Sequence, residues 1–127
     1  MALTSGEIAR ATVETGERKA QLRVAQTLVL GILAGMYIAL GALFYTIVTT
    51  APALGFGPTR LLGGLVFSLG LILVVIAGAE LFTGNNLIIV ATLAGRVSPG
   101  GLLRNWALVY LGNFIGSLLV VVLIWGS

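Results

Sequence analysis

A short polar sequence, Glu80-Leu81-Phe82-Thr83-Gly84-Asn85-Asn86, interrupts an otherwise apolar stretch and holds the residues best suited to chemistry. The Thr83 hydroxyl can donate a hydrogen bond to an anion or accept one from a protonated acid. Gly84 permits a sharp turn, after which Asn85 or Asn86 is placed to cap a restarting helix. A helix that begins here aims its unpaired N–H groups and the positive end of its dipole inward, an arrangement that suits an anion. Leu81 and Phe82 add an apolar ring that would strip water from a passing solute. Glu80 has two readings. It is a proton or cation site, or it is an acceptor that holds the backbone N–H groups of the following loop. The second is favoured, because a bare carboxylate beside an anion path would repel the solute.

The surrounding segment is the wrong length for simple solutions. Between Arg60 and Arg96 lie 35 residues whose only charge is Glu80. As one straight helix they would reach about 50 Å, against a hydrocarbon core of roughly 30 Å. Two crossings and a turn would need about 40 residues or more. One crossing broken in the middle fits, and irregular backbone at membrane depth survives only where protein or a water-filled cavity satisfies it. The pattern therefore predicts three spans: 24–50, 60–95 broken at 81–86, and 104–126. Leu61 to Ala79 would form the first arm of the broken span and Leu87 to Ala94 the second. Residues 51–58 and 95–101 read as loops rich in helix breakers.

Residues 1–23 form the one markedly charged segment. Thr4 and Glu7 have capping-box spacing, Glu14 and Arg18 are an i,i+4 pair, and Ile8, Ala11, Thr15 and Leu22 give a weak apolar stripe. A short helix lying on the membrane surface is expected, with Lys19 in that surface tail.

Composition agrees with an all-α membrane protein: charged residues make up only 9% of the chain, where soluble domains carry about a quarter. With no cysteine and no histidine, thiolate and imidazole metal sites are excluded, and no enzyme motif is present. Neither cofactor nor nucleic-acid partner is expected; the lipid bilayer is. Arg10, Arg18, Lys19, Arg23, Arg96 and Arg104 fall on one side of a three-span arrangement, and Arg60 alone on the other. The positive-inside rule then sets the N-terminus in the cytoplasm and the C-terminus outside, in the cell (inner) membrane. Gly31 with Gly35, Gly112 with Gly116, and Gly64 with Ser68 mark candidate helix contacts. Trp106, Tyr110 and Trp125 read as interfacial aromatics, and Asn113 as a polar residue bonding a neighbouring helix or the loop.

Gly78-Ala79-Glu80-Leu81-Phe82-Thr83-Gly84-Asn85, preceded by Phe67-Ser68-Leu69-Gly70-Leu71 and followed by Asn105-Trp106 and Tyr110-Leu111-Gly112-Asn113-Phe114-Ile115-Gly116, resembles the formate/nitrite transporter family. The resemblance runs through essentially the whole chain. It implies half of an aquaporin-like fold, assembled as a pentamer with one pore per protomer, that passes small monovalent anions. Phe67, Leu71, Leu81 and Phe82 would form the constrictions. Thr83, Gly84, Asn85 and Asn86 would form the anion-selecting loop, with Glu80 and Asn113 stabilising it. Members of the family have six spans in two inverted halves, and this chain resembles the first. A homo-oligomer with inverted pairs or a separate second-half subunit would complete the pore, or the chain is a truncated or engineered fragment. Without the family's histidine, passive conduction with little proton-coupled trapping is expected. The competing readings are a non-conducting assembly subunit and a channel for neutral solutes.

Overall fold

The computed structural model describes residues 2–127, so Met1 of the expected 1–23 segment lies outside the described residues. Among the described residues the chain is all-helical. It comprises α1 (Ser5–Ala20), α2 (Val24–Thr50), α3 (Phe56–Ala77), the single turn α4 (Phe82–Asn85), α5 (Ile88–Leu93) and α6 (Pro99–Trp125). Three of these, α2, α3 and α6, are long and apolar enough to cross a membrane. At 27, 22 and 27 residues they measure about 40, 33 and 40 Å, sufficient for a core of roughly 30 Å. Leu65, Ile76 and Leu123 are more than 60% exposed, an outward face that water would not tolerate over so large an area. This is an integral membrane protein.

Two helix starts differ from expectation. α3 begins at Phe56, so the residues read as the end of a loop form its first turn. Pro58 is tolerated there because no N–H is needed, and Gly55 precedes the helix at φ 76°. α6 begins at Pro99, not near residue 104. Ser98 caps it, its hydroxyl accepting from Gly101 N–H at 3.0 Å, and Pro99 holds the first helical position. Gly100 and Gly101, read as breakers, are carried by that start.

α2 is the central element and packs against both α3 and α6. The helices approach until backbone meets backbone. A Cβ on Gly116 would collide with Ile32 O, and one on Gly35 with Asn113 O. Against α3, a Cβ on Gly70 would meet Tyr37 O at 2.8 Å, while one on Gly64 would meet nothing. The small-residue contact of α3 is therefore Gly63 and Gly70, one face round from the expected Gly64 and Ser68.

α1 carries the capping box: Thr4 N–H donates to Glu7 Oε2 at 2.6 Å and Glu7 N–H to Thr4 Oγ1 at 3.3 Å. The Thr4 backbone donor, and then its hydroxyl, hold the Glu7 carboxyl below the ordinary range. The helix docks on α5 through Val13, Gly16 and Ala20, which cover Ile88 and Ala91. The expected stripe is not the packed face. Ile8, Ala11 and Thr15 line a cleft of about 340 Å³ beside it. Arg18 donates to Thr15 Oγ1 at 3.3 Å in place of the expected pair with Glu14, and Glu17 pairs with Arg96 at 3.4 Å.

The α2–α6 contact predicts opposite signs for two alanines. Gly116→Ala should lower unfolding free energy in mixed micelles by about 3 kcal/mol, because two backbones must separate. Gly64→Ala should leave it unchanged or raise it by about 0.5–1 kcal/mol.

Candidate functional site

The break begins earlier than the polar residues suggest. Gly78, at φ 62°, ends α3 in the left-handed conformation that its missing Cβ allows. Ala79 N–H reaches back to Val74 O at 3.0 Å and Gly78 N–H to Val75 O at 3.2 Å, a Schellman closure. The extended run from Ala79 to Leu81 crosses over α2, where Glu80 N–H donates to Leu30 O at 3.2 Å. Helix restarts at Phe82, not at Leu87. The interruption is thus 78–81, and Thr83 to Asn85 already belong to the returning turn.

Asn113 on α6 holds this crossover. Its Oδ1 accepts Phe82 N–H at 2.9 Å, while its Nδ2 donates to Glu80 O at 2.9 Å and Gly31 O at 2.8 Å. One side-chain amide therefore satisfies both flanks of the break and ties them to α2. Ser117, one turn on, donates to Asn113 O at 2.9 Å. Thr83 and Gly84, next in the first turn of α4, have no backbone acceptor among the described residues. Both residues line the cleft beside the break.

The Glu80 carboxylate is buried, and its partners are side chains, not the expected loop N–H groups. Oε1 accepts Lys19 Nζ at 2.9 Å and Oε2 accepts Asn85 Nδ2 at 2.6 Å. Lys19 also donates to Asn85 Oδ1 at 3.0 Å, closing a three-membered ring of charge-assisted bonds. Lys19 is thus not merely a residue of the surface tail: the last turn of α1 carries it, partly exposed, to the break. Asn85 is fully buried and caps nothing, since Leu87 precedes α5 without a side-chain bond. Asn105 joins the ring, accepting from Asn85 Nδ2 at 2.9 Å and donating to Lys19 O at 3.3 Å. Trp106 Nε1 donates to Asn85 O at 2.9 Å. Sequence alone does not single out Asn105 and Trp106 as holding the break, because both sit where an interfacial residue is ordinary.

The candidate residues divide into groups. Leu71, Leu81, Thr83 and Gly84 line one cleft of about 820 Å³ at the break, with Glu80 and Lys19 on its wall. Phe82 turns the other way, edge-on to Tyr110 at 5.5 Å and Trp106 at 6.3 Å. Phe67 lies one turn from Leu71 along α3, against Tyr45. Asn86 is exposed. The cleft offers an apolar wall, the hydroxyls of Thr83 and Thr15, the Arg18 side chain and two N–H groups without a backbone acceptor. Its carboxylate is already neutralised by a lysine.

Residues 6–127 match the family model described as formate/nitrite transporter. Formate channel FocA of Haemophilus influenzae is 47% identical over 100% of this chain and 45% of its own length. Formate channel FocA of Escherichia coli K12 is 44% identical over 98% of this chain and 44% of its own. A solved structure described as a pentameric formate channel with formate bound superposes with a TM-score of 0.74 at 48% identity, over 81% of this chain and 41% of that one. The chain therefore spans a little under half the length of the relatives it matches.

The lysine–carboxylate ring predicts a specific pattern of destabilisation. Lys19→Met leaves a buried Glu80 unpaired and should cost about 3 kcal/mol, the low end for a buried pair because the lysine is partly exposed. Adding Glu80→Gln should recover most of that loss, and equilibrium unfolding of the single and double variants reads it.

Proposed function

This chain belongs to the formate/nitrite transporter family, and we propose that it forms one half of a membrane pore for small monovalent anions such as formate and nitrite. The observation that carries this reading is the cleft at the break. Leu71 and Leu81 make an apolar wall, and Thr83 with the N–H groups of its turn gives donors but no free acceptor charge. Lys19 neutralises Glu80, which removes the repulsion that a bare carboxylate would exert. Such a surface accepts an anion at a cost in dehydration that its donors offset, and releases it because the contacts are few. Phe67, one turn from Leu71 on α3, continues the apolar wall of that path, and Phe82 supports the turn from behind, against Trp106 and Tyr110.

The cleft is open on one side, and a second half-unit closes it. An inverted second copy, a separate polypeptide, or further residues of a longer chain would each do so, within a pentameric ring of the kind named for the structural relative. The N-terminus is cytoplasmic and the C-terminus outside. The Glu17–Arg96 pair brings α1 and the α5–α6 turn to one end of the bundle, with the arginines that favour the inner face.

Flux into proteoliposomes tests the reading. Thr83→Val keeps the shape of the turn but removes the hydroxyl, and should slow formate and nitrite uptake by about tenfold or more, the value of one hydrogen bond to a charged partner. Uptake of a neutral solute such as urea should be low in both proteins. Equal anion flux in the two proteins would remove Thr83 from the path. Urea flux that exceeds formate flux would favour the neutral-solute reading. Phe82→Ala is a poorer discriminator, because Phe82 also supports Trp106 and Tyr110.

A further inference from the structure

Arg60 is the only charged residue between Arg23 and Glu80, and it stands alone at its end of the bundle. Its guanidinium lies 5.3 Å from the Phe56 ring centroid and donates through Nη1 to the Tyr45 hydroxyl. Tyr45, on α2, is in turn held against α3. A Cβ on Gly63 would lie 2.8 and 2.9 Å from two of its ring carbons, so the ring rests directly on the α3 backbone. Its edge meets Phe67, with ring centroids 6.5 Å apart and planes at 87°. Arg60, Gly63 and Phe67 fall at i, i+3 and i+7, one face of α3, with Leu71 one turn further towards the break. Phe67 itself is 39% exposed.

We propose that Tyr45, locked by Arg60, is a positioning residue that sets the orientation of the Phe67 ring and so the size limit of the pore at this end. The inference rests on the anion-pore reading above. Its physical content is that an exposed phenyl ring has a soft torsion. An edge-to-face neighbour with its own polar tip tied to a guanidinium stiffens that torsion, where a freely turning neighbour would not. The guanidinium suits the task because it packs on Phe56 while it donates to Tyr45. A rigid Phe67 admits a one-carbon carboxylate and excludes bulkier ones; a loosened ring discriminates less.

The test uses the full chain in proteoliposomes with formate and propionate as paired probes. Tyr45→Phe removes the hydroxyl and keeps the ring, and Arg60→Gln removes the guanidinium. Each should raise the propionate-to-formate flux ratio by about three- to tenfold, the value of the one hydrogen bond removed. Arg60→Lys, which keeps a charged donor where Gln has a neutral one, should restore part of the discrimination. In a Phe67→Ala background Tyr45→Phe should add nothing. An unchanged ratio in Tyr45→Phe, or a full additional effect in the Phe67→Ala background, overturns the proposal. If the parent protein passes no anion, the pore reading fails, and a second measurement decides this one. With 3-fluorophenylalanine at position 67, fluorine NMR in micelles should show the resonance shift and narrow in Tyr45→Phe as the ring is released. An identical spectrum contradicts the positioning role.

Discussion

Breaking a helix inside a membrane protein leaves N–H and C=O groups that lipid cannot bond, and the packing around the break follows from how those groups are satisfied. Asn113 provides most of the answer. A single amide accepts from Phe82 and donates to Glu80 O and Gly31 O, so the crossover is bonded on both flanks and to the central helix. That arrangement requires α6 to lie close against α2. Gly35 and Gly116 make the approach possible by having no side chain where the two backbones meet.

The second support is electrostatic. A carboxylate at membrane depth costs several kcal/mol unless it is paired and bonded. Glu80 is both, through Lys19 and Asn85, and the pair is drawn from segments 61 residues apart in sequence. The α1 helix is therefore part of the membrane unit and not an appendage: its last turn supplies the counter-charge and its Gly16 face packs on α5. Because the charges cancel inside the protein wall, the cleft beside them presents Thr83 and unpaired N–H groups without a net negative field.

Much of the fold was legible in sequence because its causes are local. Hydropathy located the three apolar helices, and an apolar stretch too long for one crossing and too short for two required a break. What escaped was decided at a distance. Gly78, not the Thr-Gly-Asn-Asn run, ends α3, since a left-handed residue closes a helix more sharply than polar side chains do. Ser98 and Pro99 are a helix start that the following two glycines disguised. Lys19 looked like a surface residue because nothing in the first 23 positions announces a partner near residue 80. Asn105 and Trp106 have the composition of an interfacial girdle, and only the returning turn reveals that they bond Asn85. Within the candidate site, the sequence order Leu81-Phe82-Thr83 placed three residues together, but helical geometry sends Phe82 to α6 and leaves Leu81 and Thr83 in the cleft.

Whether the turn at Thr83 faces water in the membrane-embedded protein separates a pore from a mere kink. The chain contains no cysteine, so a single Thr83→Cys substitution can be probed with a membrane-impermeant thiol reagent, with Leu65→Cys on the outward face of α3 as control. A water-lined, anion-accepting cleft predicts that the thiol introduced by Thr83→Cys reacts readily, that formate slows the reaction, and that the thiol of the Leu65→Cys control does not react. Equal inertness in the two variants, or a reaction of the Thr83→Cys protein that is indifferent to formate, would contradict a pore at the break.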